Sequence, residues 1–126
     1  MPRILIVDDA PSILMLLSAL LTGEGYEVGT AKNGEEAVKL LKAETFDLMI
    51  SDINMRPVNG VELLRKTRKS YPKMGVIMLT AYETMFTADQ ATENGAFAYV
   101  VKPFKRAKLL ETVQQGLEKY GVSEKI

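Results

Sequence analysis

The chain has neither cysteine nor histidine among its 126 residues. Without cysteine there are no disulfides, no thiolate chemistry and no sulfur ligands for a metal; without histidine there is no imidazole acid or base and no commonest transition-metal ligand. A net charge is missing as well, because sixteen Lys and Arg balance sixteen Asp and Glu. No global field draws such a chain to nucleic acid or anionic lipid, so binding rests on local patches. Long apolar runs are also lacking: the longest, Ala96 to Val101, covers six residues, against roughly 20 for a bilayer span. With no secretory pattern at the N-terminus, the reading is a cytoplasmic protein that inserts into no membrane. Any chemistry must rest on carboxylates, hydroxyls and lysines.

What is present is an alternation. The length suits a single domain over residues 1–126, with 121–126 as a short polar tail. Short apolar runs alternate five times with longer amphipathic stretches, the pattern of five β/α units. Ile4 to Val7, Leu48 to Ile50 and Val76 to Leu79 are apolar at every position, as strands buried on both faces of a parallel sheet require. Tyr26 to Thr30 carries Glu27 and Gly29 and is placed at an edge. The first helix is predicted from about Pro11 to Thr22, with Ile13, Leu16, Leu17, Leu20 and Leu21 as its apolar face and Gly23 and Gly25 as its stop. Asn33 followed by Glu36 opens the second as a capping-box-like pair. The third covers about Gly60 to Ser70 and the fifth about Lys105 to Tyr120. A fourth, about Glu83 to Glu93, is the least secure, since threonines interrupt a weak stripe of Met85, Phe86, Ala88 and Ala91.

Open parallel sheets bind ligands beyond the carboxyl ends of their strands. Four of the five strands end there in a candidate: Asp8 and Asp9, Asp52, Thr80, and Lys102. On one rim they form an acidic crevice. Carboxylate pairs near 4 Å repel by roughly 4 kcal/mol at an effective dielectric of about 20, and Lys102 answers only one charge. A divalent cation answers the rest, and an all-oxygen ligand set selects a hard ion, Mg²⁺ (or Mn²⁺). Mg²⁺ commonly shares carboxylates with phosphate, so a phosphoryl-handling site with a carboxylate nucleophile follows.

The blocks Ile6-Val7-Asp8-Asp9, Phe46 to Asp52, Met55 with Gly60 downstream, Leu79-Thr80-Ala81 and Val101-Lys102-Pro103-Phe104 together resemble the receiver domain of two-component response regulators. The resemblance implies an α/β, flavodoxin-like (βα)₅ three-layer sandwich with a parallel sheet in the order 2-1-3-4-5. It implies Asp52 as phosphoacceptor; Asp9 and, through water, Asp8 as metal-binding acids; and the backbone carbonyl of Asn54 as a further ligand. Thr80 is similar to the switch hydroxyl, Tyr99 to the aromatic switch, Lys102 to the phosphate-binding lysine, and Lys102-Pro103 to the family's cis peptide. Arg56, Ala81, Tyr82 and Pro103 flank the site. Arg56 stands where receivers usually carry proline, with Pro57 following. The implied donor is a sensor histidine kinase or a His-containing phosphotransfer protein. The implied output is a protein effector met through the fourth helix, fifth strand and fifth helix, and a phosphorylation-dependent homodimer is compatible with it. No direct nucleic-acid contact and no enzymatic activity on external substrates are expected.

Each residue alone also has a plain structural reading. Asp8-Asp9 before Pro11 can cap the first helix, Asp52 can be a turn residue, and Thr80 and Tyr99 suit strands by propensity. An aspartate-dependent phosphatase is a second reading, disfavoured because Asn54 occupies the position of its usual second acid. A flavodoxin-like binding module is a third, and no glycine-rich loop follows the first strand.

Overall fold

The computed structural model describes residues 2–52, 60–81 and 95–120, with the backbone only at 60–62, 80 and 81. The fourth predicted helix, at 83–93, and the tail at 121–126 lie outside the described residues. In chain order the elements are β1 (Arg3–Val7), α1 (Pro11–Gly23), β2 (Glu27–Ala31), α2 (Gly34–Ala43), β3 (Leu48–Asp52), α3 (Gly60–Ser70), β4 (Gly75–Ala81), β5 (Ala98–Lys102) and a C-terminal helix (Arg106–Tyr120). All four strand pairings are parallel, and the sheet order is β2-β1-β3-β4-β5. The strand rich in polar residues is at an edge, as expected.

Two apolar layers sandwich the sheet because alternate residues of each strand face opposite ways. Leu5, Val7, Met49, Val76 and Met78 meet Ala37, Leu41, Leu63 and Leu64 of α2 and α3. Ile4, Ile6, Leu48, Ile50, Ile77 and Leu79 meet Leu17 and Leu21 of α1 and Leu109, Val113 and Leu117 of the C-terminal helix. The close approach at the edge explains Gly29, where a Cβ would come within 2.9 Å of the Phe46 ring.

Local signals set most of the helix ends. Asn33 Oδ1 accepts from the Glu36 N–H at 2.8 Å, while Glu36 Oε1 accepts from the Lys32 N–H at 2.9 Å, one residue earlier than an ideal capping box. Gly25 adopts φ +91° just after α1, a left-handed conformation that glycine takes without a Cβ penalty. The face of α1 differs from expectation in one residue: Leu16 is 47 % exposed, with Met15 beside it at 74 %. Ile13, Leu14 and Leu20 pack with Leu17 and Leu21 instead. At about 100° per residue, Leu16 falls a quarter-turn from Leu17 and off the narrow stripe the sheet covers.

Candidate active site at the carboxyl rim

Sheet register brings the acids together. Val7 is opposite Ser51, so the next residues, Asp8 and Asp52, stand level across β1 and β3. The Asp8 N–H donates to the Ala31 carbonyl at 3.1 Å, extending the path of β1 by one residue. Carboxylate oxygens of Asp8, Asp9 and Asp52 all lie within 4.8 Å of one another. Asp8 is wholly buried and Asp52 is 5 % exposed, whereas Asp9 faces solvent.

Lys102 arrives from the far side. β5 ends at Lys102 opposite Ala81 of β4, and its Nζ donates to Asp8 Oδ2 at 3.1 Å and lies 3.4 Å from Asp52 Oδ1. The other oxygen of Asp8 accepts from the Ala10 N–H at 2.9 Å. Both oxygens of this buried carboxylate therefore have donors, as burial of a charge demands. Among the described residues, three carboxylates meet one ammonium, an excess of acid over base. That excess and the oxygen-only donor set fit a hard divalent cation.

The simple capping reading of the Asp8-Asp9 pair is not what the structure contains. The N-cap of α1 is Ala10, with no side-chain cap bond, and Pro11 begins the helix. Asp8 turns into the crevice instead. What the sequence reading missed is the Ala10 N–H that holds it; the aspartate-to-i+2 turn pattern is the available signal.

Thr80 and Ala81 extend β4 to the same rim, opposite Val101 and Lys102. Tyr99 is half-buried on β5, opposite Met78. With Val101, Pro103 and Phe104 it borders a cavity of about 480 Å³. The Lys102-Pro103 peptide is cis, as expected. Asn54, Arg56 and Tyr82 lie outside the described residues.

Fold and site together define a doubly wound α/β domain with an acidic crevice at the carboxyl rim of its sheet. Over residues 4–114 the chain matches the response regulator receiver domain family. The chain belongs to that family, whose members are the signalling domains of two-component systems. Among curated proteins it is 40 % identical to the transcriptional regulatory protein GlrR of Escherichia coli K12, over 92 % of this chain and 26 % of that protein. It is 36 % identical to the regulatory protein AtoC of the same strain, over 98 % of this chain and 27 % of the relative. The chain thus spans about a quarter of the length of these relatives.

Solved structures agree. The response regulator TrrA of Thermotoga maritima, determined in complex with Mg²⁺-BeF, is 43 % identical over 93 % of this chain and 100 % of that one, with a TM-score of 0.85. The Vibrio cholerae chemotaxis protein CheY4 is 36 % identical over 93 % and 99 %, with a TM-score of 0.87. Because several relatives are named as transcriptional regulators, the expectation of no nucleic-acid contact has no support. Among the described residues no helix is long and apolar enough to cross a membrane.

Proposed function

We propose that Asp52 is the phosphoacceptor of this receiver. The observation that carries the reading is the convergence of Asp8, Asp9 and Asp52 within 4.8 Å, with the Lys102 ammonium between Asp8 and Asp52. An oxygen of Asp52 attacks the phosphorus of a phosphohistidine on a partner kinase or phosphotransfer protein. The new O–P bond forms as the N–P bond breaks, and the electron pair leaves on the partner's imidazole nitrogen. The chain has no histidine of its own, so the donor is another molecule or a small phosphodonor. Lys102 can exchange part of its contact with Asp52 for a phosphoryl oxygen, matching charge where charge accumulates.

Asp8, Asp9 and Asp52, with the Asn54 carbonyl, would hold Mg²⁺ (or Mn²⁺), which when bound supplies positive charge to the transferred group. Asp8 is wholly buried and already held by Lys102 and Ala10, which favours an outer role through water. Asp9, exposed and lacking those bonds, is the better direct ligand. Thr80 and Tyr99 then read the phosphoryl group, and the face that includes β5 and the C-terminal helix passes the change to an effector or to a second phosphorylated copy. Water later hydrolyses the acyl phosphate and restores Asp52; the chemistry is self-directed.

Treatment with acetyl phosphate and Mg²⁺ is expected to add the mass of one phosphoryl group, and EDTA or Asp52→Asn to abolish it. Addition that survives Asp52→Asn rejects the assignment. A second expectation concerns the metal. In EDTA, Asp9→Asn should melt above the unsubstituted protein, because one repelling charge is gone. At a free Mg²⁺ concentration ten times Kd, binding adds about 1.4 kcal/mol to the unsubstituted protein, and the variant should gain less. Equal Mg²⁺ gains by calorimetry would remove Asp9 from the ligand set.

A further inference from the structure

The chain is electrically neutral, yet one outer face is strongly basic. α2 and α3 lie side by side on the same side of the sheet. Two adjoining hollows of about 360 and 190 Å³ run between them and share Val38, Lys42 and Lys66. Lys39 and Lys42 on α2 and Lys66 and Lys69 on α3 line them, and all four are exposed. Among the described residues none of the four has an ion-pair partner. Among the described residues Glu35 is the one acidic side chain in the lining. The floor is apolar, with Leu63 and Leu41 buried and Val38 partly so.

We propose that this groove docks an acidic, amphipathic protein segment, independently of the phosphoryl chemistry at Asp52. The lysines match carboxylates along both walls, and the apolar floor matches a ridge of leucine-like side chains between them. The span from Glu35 to Lys42 is about 12 Å at 1.5 Å per residue, room for two helical turns in a helix-in-groove contact. A second copy of this chain fits poorly, since a two-fold contact sets lysine against lysine. A nucleic acid satisfies the lysines and leaves the apolar floor unused.

The test uses the full chain and an amidated, glutamate-rich helical peptide with leucines at i, i+3, i+4 and i+7. The controls are a peptide of the same composition with dispersed leucines and a single-stranded DNA oligonucleotide. Titration by NMR and calorimetry is expected to give saturable binding with shifts confined to α2 and α3. Affinity should fall at least tenfold in Lys42→Glu/Lys66→Glu and fall steeply toward 1 M salt, where screening acts within about 3 Å; Asp52→Asn should leave it unchanged. These lysines are exposed, so folding should persist in the variant; if its circular dichroism shows otherwise, Lys42→Gln/Lys66→Gln is expected to weaken binding in its place. Equal affinity for the dispersed-leucine peptide, tighter binding of the DNA, or indifference to the lysine substitutions overturns the proposal.

Discussion

Replacing Lys102 with methionine is expected to slow phosphoryl transfer to Asp52 by about 10²–10³-fold, the loss typical when one preorganised charge donor is removed from a reacting site. The side chain is fixed by its ion pair with buried Asp8, 3.1 Å away, and it reaches Asp52 at 3.4 Å. Its charge therefore stands beside Asp52, the proposed nucleophile, before any donor arrives. The same substitution leaves Asp8 with the Ala10 N–H as its remaining donor among the bonds described above. A fully buried carboxylate that loses a charged partner costs stability, here reduced because Lys102 is 24 % exposed; about 1–3 kcal/mol is expected. Divalent cation should restore part of that stability and little of the rate. A time course of mass addition with acetyl phosphate, together with urea melts with and without Mg²⁺, separates the two effects. A rate loss below threefold means that Lys102 serves the resting ion pair alone.

The second large effect lies in the core. Leu48 is fully buried on β3, and its Cδ1 is 3.0 Å from where a Cβ on Gly116 of the C-terminal helix would stand. Leu48→Ala should cost about 2–5 kcal/mol, from lost transfer energy and an incompletely collapsed cavity. Gly116→Ala alone should be close to neutral, because the gain of up to about 1 kcal/mol in helix propensity meets crowding against Leu48. In the Leu48→Ala background the crowding is gone, and the same Gly116→Ala change should stabilise by about 1 kcal/mol. The coupling is read from a double-mutant cycle in urea. Strict additivity would mean that the helix moves aside at no cost and that the close approach does not determine the glycine.

The core strands were legible because burial on both faces leaves an unbroken apolar run, as in Ile4 to Val7. The edge strand was legible because Glu27 and Gly29 suit no central position. The clustering of Asp8, Asp9, Asp52 and Lys102 followed from one rule, that four strand ends share a rim, and the pairing of Val7 with Ser51 brings Asp8 and Asp52 level; the roles assigned to them came from the resemblance. Less legible was anything decided by a partner distant in sequence. Leu16 matched the helical stripe as well as Leu14 did, and only the width of sheet beneath α1 separates them. β4 runs on to Ala81 because β5 supplies Val101 and Lys102 as partners, which no local pattern around Thr80 announces. Glu36 caps through the Lys32 N–H rather than at Asn33 itself, a choice made by the turn after β2.

The ion pair between Asp8 and Lys102 joins residues 94 apart in sequence. During synthesis the acids of β1 and β3 leave the ribosome well before the ammonium that restrains them, and a growing chain has no reason to gather three like charges. The ammonium therefore joins the acids only when β5 docks. If Asp52 accepts phosphoryl groups as proposed, a chain truncated before β5 is expected to accept them far more slowly than the full one.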